Sequence, residues 1–383
     1  VKTILRTQEA REEAAVVMLN ASYAGSIVSF RGPLISALVA NGYAVHVTAP
    51  EPTGPQKAAV AELGAHLHPV PLRRTGLNPL ADLRYLRALS RLIRRLQPKF
   101  VLNYTAKPNI WGAMAAAGAG VPSSSMVTGL GYAFIEGTGG QRRATQALMR
   151  FLYRRATNHN RRVIFQNPDD RDDFIAAGCL TEARKAALVN GSGVDLSYFQ
   201  PTSLPEAPVF LLIARLLWSK GIREYVGAAL KVREQVPHAR FQLAGFLDEG
   251  PDAVTDAELD GWIKAGIEYL GPLEDVRPAM AGASVYVLPS YREGTPRTVL
   301  EAMAMGRPVI TTDAPGCRET VRNGVNGLLV PTRDVDTLAA AMTILAEDSA
   351  VRSAMGAEAR RIAEEEYAAE AVAMSVLAHL SLG

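Results

Sequence analysis

Apolar runs alternate with segments of helical spacing along most of the chain. AVVMLN (15–20) reads as a buried strand. A helix follows from about Pro33 to Asn41, and Gly42 stops it. YAVHVTAP is a second strand, ended by Pro50. FVLNYT (100–105), SSMVTG (124–129) and RVIFQN (162–167) are further strands with helical stretches between them. Strands this continuously apolar are buried on both faces, and their alternation with helices predicts a parallel sheet. The segment VNGSGVDLSYFQPTSLPEAP (189–208) breaks the rhythm with loop chemistry. The pattern restarts with VFLLIARLL (209–217), RFQLAGF (240–246), IEYLG (267–271), ASVYVLPS (283–290) and RPVITT (307–312). That is a second parallel sheet.

The chain therefore reads as an α/β protein of two Rossmann-like domains, over 1–200 and 201–365, facing each other. Their ligand crevice is expected at the carboxyl ends of the strands. A helical stretch rich in Ala and Glu, roughly 335–380, is expected to pack on the outside. Its last part, 366–383, should turn back toward the first domain. Residues 1–13 are polar, lack an apolar leader segment, and read as an appended disordered tail.

The length of 383 residues agrees with two domains, and 48% apolar with 21% charged is a globular balance. Cys179 and Cys317 match no metal or redox spacing and read as buried packing in a reducing compartment. The long uncharged run over 108–135 would reach across a membrane. It contains Pro122, several glycines and three consecutive serines, which excludes a lipid-facing helix.

The net charge of +3 hides an asymmetry. Residues 1–200 hold 24 Lys+Arg against 13 Asp+Glu, a balance of +11; residues 201–383 hold 17 against 25, a balance of −8. In DLRYLRALSRLIRR, Leu83, Leu86, Leu89 and Leu92 recur at helical spacing, and Arg84, Arg87, Arg91 and Arg94 fall on another stripe. QRRATQALMRFLYRRATNHNRR repeats the theme. Such faces are either solvated or suited to anionic lipid headgroups. No interleaved aromatic signature accompanies them, so nucleic acid is not the expected partner.

The stretch EGTPRTVLEAMAMGRPVITT (293–312) concentrates the chemistry. Thr295 is placed to cap a helix with Pro296 at its first position, and Gly306 with Pro308 ends it. Glu293 then sits in the turn at a strand's carboxyl end. Glu301 is the only charge from Thr298 to Gly306. Backbone amides at Thr298 and Val299 could hold a phosphate at the positive helix end. ARLLWSKG places Arg215 and Lys220 just beyond the first strand of the second domain, suited to neutralising a diphosphate. A polyhydroxylated, phosphorylated ligand accounts for this set together.

ARLLWSKGI, FQLAGF, LGPLEDV, ASVYVLPSYREGTPRTVLEAMAMGRPVITTDAPGCRETV and NGVNGLLVP resemble the retaining family-4 glycosyltransferases of the GT-B fold. More loosely, FRGPLISALVANGYAVHVTAP, NYTAKPNIWGAMAAAGAGVP, VTGLGYAF and VNGSGVDLSYFQP resemble one branch of that family. That branch extends polyprenyl-diphosphate-linked glycans for capsule, O-antigen or protein glycosylation. The resemblance implies that Arg215 and Lys220 bind a donor diphosphate, Glu301 the ribose hydroxyls, and Glu293, beside Gly294 and Thr295, the donor sugar. It also implies that amides near Thr298 and Val299 touch phosphate and that the turn near Leu273 meets the base. The catalytic set would be Arg215, Lys220 and Glu293. The first domain would bind the acceptor, with Asn103, Lys107, Asn109, Thr128 and Gly129 as its loop candidates. Many family members carry a histidine where this chain has Thr128, and threonine cannot serve as a general base near neutral pH. The implied branch often has threonine there too.

The resemblance thus implies transfer, with retention, of a sugar, plausibly an N-acetylhexosamine, from a UDP-sugar to a polyprenyl-diphosphate-linked saccharide. No cofactor or metal is expected, and the enzyme would work peripherally on the cytoplasmic face of the inner membrane. Alternatives are a nucleotide-sugar epimerase of the same fold, a transferase with a soluble acceptor, and a non-catalytic nucleotide-sugar-binding subunit. Asp334-Val335-Asp336 opens a helix and reads as capping, and His66 and His68 read as packing or surface. Gly129-Leu130-Gly131 lacks the strand–turn–helix context of a dinucleotide fingerprint. The DDRDD cluster (169–173) suits a helix start.

Overall fold

The computed structural model describes residues 14–73, 76, 78–130, 134, 140–248, 250 and 252–380, with the backbone alone for 140–142. The expected tail at 1–13 lies outside the described residues. Two units divide the chain. The first holds the residues up to Ser192 and those from Glu370 on; the second is Gly193–Ala369.

The first unit is built on a parallel sheet of order β3-β2-β1-β4-β5-β6-β7. Its strands are β1 (Val16–Asn20), β2 (Ala44–Ala49), β3 (Ala65–Pro69), β4 (Phe100–Tyr104), β5 (Ser123–Val127), β6 (Asn160–Phe165) and β7 (Ala186–Leu188). Helices α1 (Gly25–Ala40), α2 (Gly54–Glu62), α3 (Pro79–Leu96), α4 (Ala113–Gly118), α5 (Gly140–Thr157) and α6 (Pro168–Ala176) cover it. Val17, Leu19, Val45 and Val47 pack under α1, while Met18 and Val101 face α3 and α4 from the other side. Both faces of the central strands are buried, which is why their sequence does not alternate.

Helix α1 starts eight residues before the expected Pro33 and carries that proline inside it. Its buried residues Ile27, Leu34, Ile35 and Leu38 lie on both sides of Pro33, so packing offsets the hydrogen bond the ring removes. In α3 the buried stripe is Tyr85, Leu89, Leu92 and Ile93, not the four leucines at three-residue spacing. Three residues fall about 60° short of a helical turn, so Leu83 and Leu92 end about half a turn apart. Leu83 is exposed and Leu92 buried accordingly. Asn167 caps α6 by accepting from the Asp170 amide at 2.7 Å, and Asp169 and Asp170 occupy its first turn.

The second unit has a parallel sheet of order β10-β9-β8-β11-β12-β13. It contains β8 (Val209–Ile213), β9 (Arg240–Ala244), β10 (Glu268–Gly271), β11 (Val285–Leu288), β12 (Val309–Thr312) and β13 (Gly327–Val330). The outer strands β3, β7 and β13 fall outside the runs read as strands from sequence. Around this sheet lie α7 (Ile222–Gln235), α8 (Asp256–Lys264), α9 (Arg277–Ala281), α10 (Arg297–Ala304), α11 (Val335–Glu347) and α12 (Ser349–Glu366). Over residues 335–380 each helix buries one face and exposes the other. Leu338, Met342 and Leu345 of α11 belong to one core of the second unit, and Ala359, Ile362 and Ala363 of α12 to the other. The last helix, α13 (Ala369–Leu380), places Ala373, Val376 and Leu380 in the core of the first unit.

The unit boundary falls at Gly193, eight residues before the expected position, because Val194 and Phe199 are already buried in the second unit's core. Val194 pairs with Ala368, so the segments entering and leaving the second unit run side by side. The Val194 amide donates to Tyr367 at 2.8 Å and the Ala369 amide to Val194 at 3.0 Å.

A polar lock ties the carboxyl ends of β1, β2 and β4. Thr48 donates to Asn20 Oδ1 at 2.8 Å, and Asn20 Nδ2 donates to Asn103 Oδ1 at 2.7 Å. A single π turn, Pro108–Gly112, runs directly over this pair before continuing as α4. A Cβ on Gly112 would stand 2.0 Å from Asn103 Oδ1 and 2.9 Å from Asn20 Nδ2. Gly112→Ala should therefore lower the free energy of unfolding by about 3 kcal/mol or more, as overpacking against fixed neighbours does. Urea denaturation measures it, and a loss under 1 kcal/mol, on the order of a surface change, would contradict the close approach.

Candidate active site

Three loops at the carboxyl ends of β8, β11 and β12 interlock in the second unit. The β8 loop passes through a short turn at Trp218–Lys220 and enters α7 through Gly221. Gly221 has φ +70°, and a Cβ there would stand 2.0 Å from the Pro289 carbonyl oxygen. Only glycine admits that approach and that backbone conformation together. The Tyr291 amide then donates to Ser219 at 2.9 Å, and the Glu293 amide to Pro315, beyond β12, also at 2.9 Å.

These contacts bring Lys220 to Glu293. The ammonium lies 2.5 Å from Glu293 Oε1, and the Ser290 hydroxyl donates to the same oxygen at 2.7 Å. Both charged side chains are mostly buried, at 19% and 16% exposure. Tyr291 braces the loop from behind, donating its hydroxyl to buried Glu224 at 2.9 Å while Arg333 stacks over its ring. Arg215, half-exposed at the end of β8, pairs with Asp248 beyond β9 at 2.7 Å.

Glu301 is nearly fully buried, which excludes a solvent-facing position on its helix. Arg297, one turn earlier, donates from Nε to Glu301 Oε1 at 2.7 Å. Burial raises the Glu301 carboxyl above the usual carboxylate range, and the Arg297 charge and hydrogen bond oppose it. Beneath the two glutamates lies Tyr286 of β11. Its hydroxyl donates to the Ile213 carbonyl at 3.0 Å, and burial first, then the nearby Glu301 and Glu293 charges, push the phenol upward. Thr298 hydrogen-bonds the same phenol.

The helix carrying Glu301 begins differently from the sequence expectation. Pro296 is its N-cap, with ψ 107°, so the helix opens at Arg297 and Thr295 lies outside it. The Val299 amide donates to the Pro296 carbonyl at 3.1 Å, which leaves Thr298 as the donor of the expected pair not engaged by that carbonyl. Gly294 and Thr295 link Glu293 to this helix end. Leu273 is half-buried in the turn after β10 and packs on the second unit's core.

In the first unit, Asn103 and Asn109 are buried framework residues. Asn103 belongs to the polar lock, and Asn109 Nδ2 donates to the Met126 carbonyl at 2.9 Å. Lys107 is held by Asp82, in the first turn of α3, at 2.8 Å with both side chains close to buried. Thr128 is half-buried just after β5, followed by Gly129 at φ +138°. Arg297, Ser290 and Asp82 were missed from sequence. The spacing of Arg297 to Glu301, four residues apart on a helix, was the one available signal. Asp334 caps α11 by accepting from the Thr337 amide at 2.9 Å. Among the described residues, no group of three or more His, Cys, Asp or Glu is arranged to hold a metal ion.

Two family models match this chain. "Glycosyl transferase 4-like domain" matches residues 27–191 and "Glycosyl transferases group 1" matches residues 207–348. The chain is a glycosyltransferase built of these two domains. The second match spans the interlocked loops and both glutamates. Among relatives of this transferase is N,N'-diacetylbacillosaminyl-diphospho-undecaprenol alpha-1,3-N-acetylgalactosaminyltransferase of Campylobacter jejuni. It is 29% identical, over 86% of this chain and 89% of its own length. UDP-Gal:alpha-D-GlcNAc-diphosphoundecaprenol alpha-1,3-galactosyltransferase of Escherichia coli is 27% identical over 73% and 74%. Solved structures share the GT-B fold. Sucrose-phosphate synthase of Thermosynechococcus elongatus has a TM-score of 0.78 at 18% identity, covering 95% of this chain and 98% of that one. Anabaena HepE in complex with UDP-glucose has 0.74 at 18%, covering 96% and 99%.

Two outcomes follow for this glycosyltransferase. Arg297→Ala should cost about 2 kcal/mol of stability, less than the roughly 3–5 of a fully buried pair because Arg297 keeps 22% of its side chain exposed. The raised Glu301 then resists ionisation further, so the loss should be larger at pH 8 than at pH 5. Equal losses at both values in urea melts would remove Glu301 as the cause. Burial pushes the Cys179 and Cys317 thiols each up to about 12, with the Glu293 charge adding to Cys317. Neither should react with a disulfide reagent at pH 8 in the folded protein, and both should react in denaturant. Rapid native labelling of Cys317 would contradict its burial beside Glu293.

Proposed function

We propose that this transferase moves a sugar from a UDP-sugar, with retention, to a polyprenyl-diphosphate-linked saccharide. The observation that carries the donor side is the Lys220–Glu293 ion pair set beside buried Glu301. In the absence of donor, each charge of that pair balances the other. A donor diphosphate would take the Lys220 ammonium, with Arg215 as its second cation, and release Glu293 to the sugar hydroxyls. Glu301, oriented by its hydrogen bond from Arg297, would accept from the ribose hydroxyls. Bond cleavage in such a reaction builds positive charge at the anomeric carbon and negative charge on the leaving diphosphate. Lys220, Arg215 and the Thr298 end of α10 stabilise the second of these where it appears. The chemistry needs no metal in this reading, the cations doing that work.

The relatives support the finer assignments. The Escherichia coli relative is named for UDP-Gal and for an alpha product, and the Anabaena structure contains UDP-glucose. UDP-hexoses carry the sugar α-linked, so an alpha product corresponds to retention. The Campylobacter relative is named for N-acetylgalactosamine transfer, which favours an N-acetylhexosamine here. Both relatives are named for undecaprenyl-diphosphate saccharides, which favours the lipid-linked acceptor. No helix among the described residues is long and apolar enough to cross a membrane. Peripheral contact on the cytoplasmic face would use the basic first unit, where Leu80, Leu148 and Phe151 stand exposed among arginines of α3 and α5.

A donor panel tests this. UDP-, GDP- and ADP-sugars are incubated with and without a short polyprenyl-diphosphate-sugar, and released nucleotide, glycolipid mass and anomeric configuration are recorded. One UDP-N-acetylhexosamine active only with the lipid acceptor, giving the α product in the presence of EDTA, is expected. Lys220→Ala should lower kcat about 10²–10³-fold. Glu301→Ala should lower kcat/KM about 10–100-fold, the scale of a lost hydrogen bond to a charged group. Epimerised sugar without acceptor, or turnover onto soluble acceptors alone, would overturn the proposal.

A further inference from the structure

The outer edge of the first unit's sheet carries a cluster that plays no part in the site above. His46 of β2 and His66 of β3 are register partners, and His68 lies two residues further along β3 on the same face. His46 Nδ1 and His68 Nε2 are 2.8 Å apart, and the His46 ring centroid lies 5.0 Å from each of the other two. Beside them a cavity of about 420 Å³ opens between β3 and α3, lined by His68, Pro69, Val70, Ala88, Arg91, Leu92 and Arg95. Val70 and Leu92 are buried, while Arg91 and Arg95 are exposed. The polar groups lining it are thus two guanidinium groups and an imidazole, with no carboxylate among them.

We propose that this cavity binds an organic phosphate, with the phosphate held by Arg91, Arg95 and His68. Two arginines four residues apart lie on one helix face, and guanidinium groups match phosphate oxygens in bidentate geometry. An apolar floor of buried Val70 and Leu92 lowers the local dielectric, which strengthens such contacts. The volume is within the range of small-molecule sites and exceeds what a bare inorganic anion fills, so the phosphate arrives on an organic body. The imidazole pair shares one proton between His46 and His68. In the tautomer where His46 donates, the other nitrogen of His68 keeps a hydrogen to offer. The phosphate could be a lipid headgroup or a free metabolite.

The groups facing His68 set a pH dependence. Burial first, then Arg95 and His66, lower its pKa, while burial, His68, His66 and Arg95 hold His46 down at about 4. Arg91 adds a further cation at the cavity. Both shifts favour the neutral form of the His46 and His68 imidazoles. A bound phosphate reverses the balance and favours the protonated imidazole, so binding takes up a proton and tightens as pH falls.

Calorimetry with glycerophosphoglycerol and flotation with phosphatidylglycerol vesicles test the two sources, because this phosphodiester keeps its charge from pH 6 to 8. Affinity should be about tenfold tighter at pH 6 than at pH 8, the scale of one coupled proton. His68→Gln should abolish that difference, and the Arg91→Ala, Arg95→Ala double variant should abolish binding while leaving the folded circular dichroism intact. Binding of the soluble diester assigns a free organic phosphate; binding of vesicles alone, with the same dependence on His68 and the two arginines, assigns a headgroup. No binding of either probe, or vesicle binding indifferent to these substitutions, would overturn the proposal.

Discussion

The close passage of Gly221 against Pro289 is the constraint on which the second unit's chemistry depends. A backbone carbonyl occupies the place a Cβ would take, so the β8 loop and the β11 loop are fixed as one body. That contact sets the approach of Lys220 to Glu293, and Tyr291 and Pro315 hold the register on either side. Two long, flexible charged side chains would ordinarily gain little from pairing at a surface. Here their backbones are already located before the charges meet, which lowers the entropic cost of holding them. The same pre-positioning is what a site needs if its cations are to meet charge that develops only during reaction.

A different logic holds Glu301. Its surroundings are apolar, and its burial works against ionisation. Arg297 opposes that effect from within the same helix, so the pair is a local device that does not depend on distant loops. The first unit uses polar locks of a third kind. Asn20, Thr48 and Asn103 are neutral, and they fasten strand ends beneath the π turn without introducing charge. Charge in that unit is confined largely to helix surfaces, where the arginines of α3 stand beside apolar side chains.

Much of the architecture was legible because fully buried parallel strands leave an unbroken apolar signature. Ten of the strands coincide with such runs, and the three that do not, β3, β7 and β13, lie at sheet edges. The glutamates of the second unit were legible because charge is conspicuous inside an apolar segment. What stayed hidden depends on partners distant in sequence. Asp82 takes up Lys107 across 25 residues, and Asn103 serves the sheet, neither of which any local pattern encodes. The helix start at Pro296 was misplaced by one residue because a proline can stand at the cap as readily as just inside it. The leucines of α3 misled because recurrence every three residues resembles helical spacing over one turn and diverges from it over several.

The chain enters the second unit at Gly193 and returns at Ala369, and its last helix completes the core around β1 and β2. Ala373, Val376 and Leu380 therefore reach their places only after the whole of the second unit has been made. During synthesis the order of completion runs opposite to the order of translation. The second unit has its full sequence while the first still lacks part of its interior. The first unit's helices and sheet must wait, with an apolar surface open to solvent, for residues translated after the second unit. For this protein a helix that follows the second unit is a closing piece of the first unit's fold.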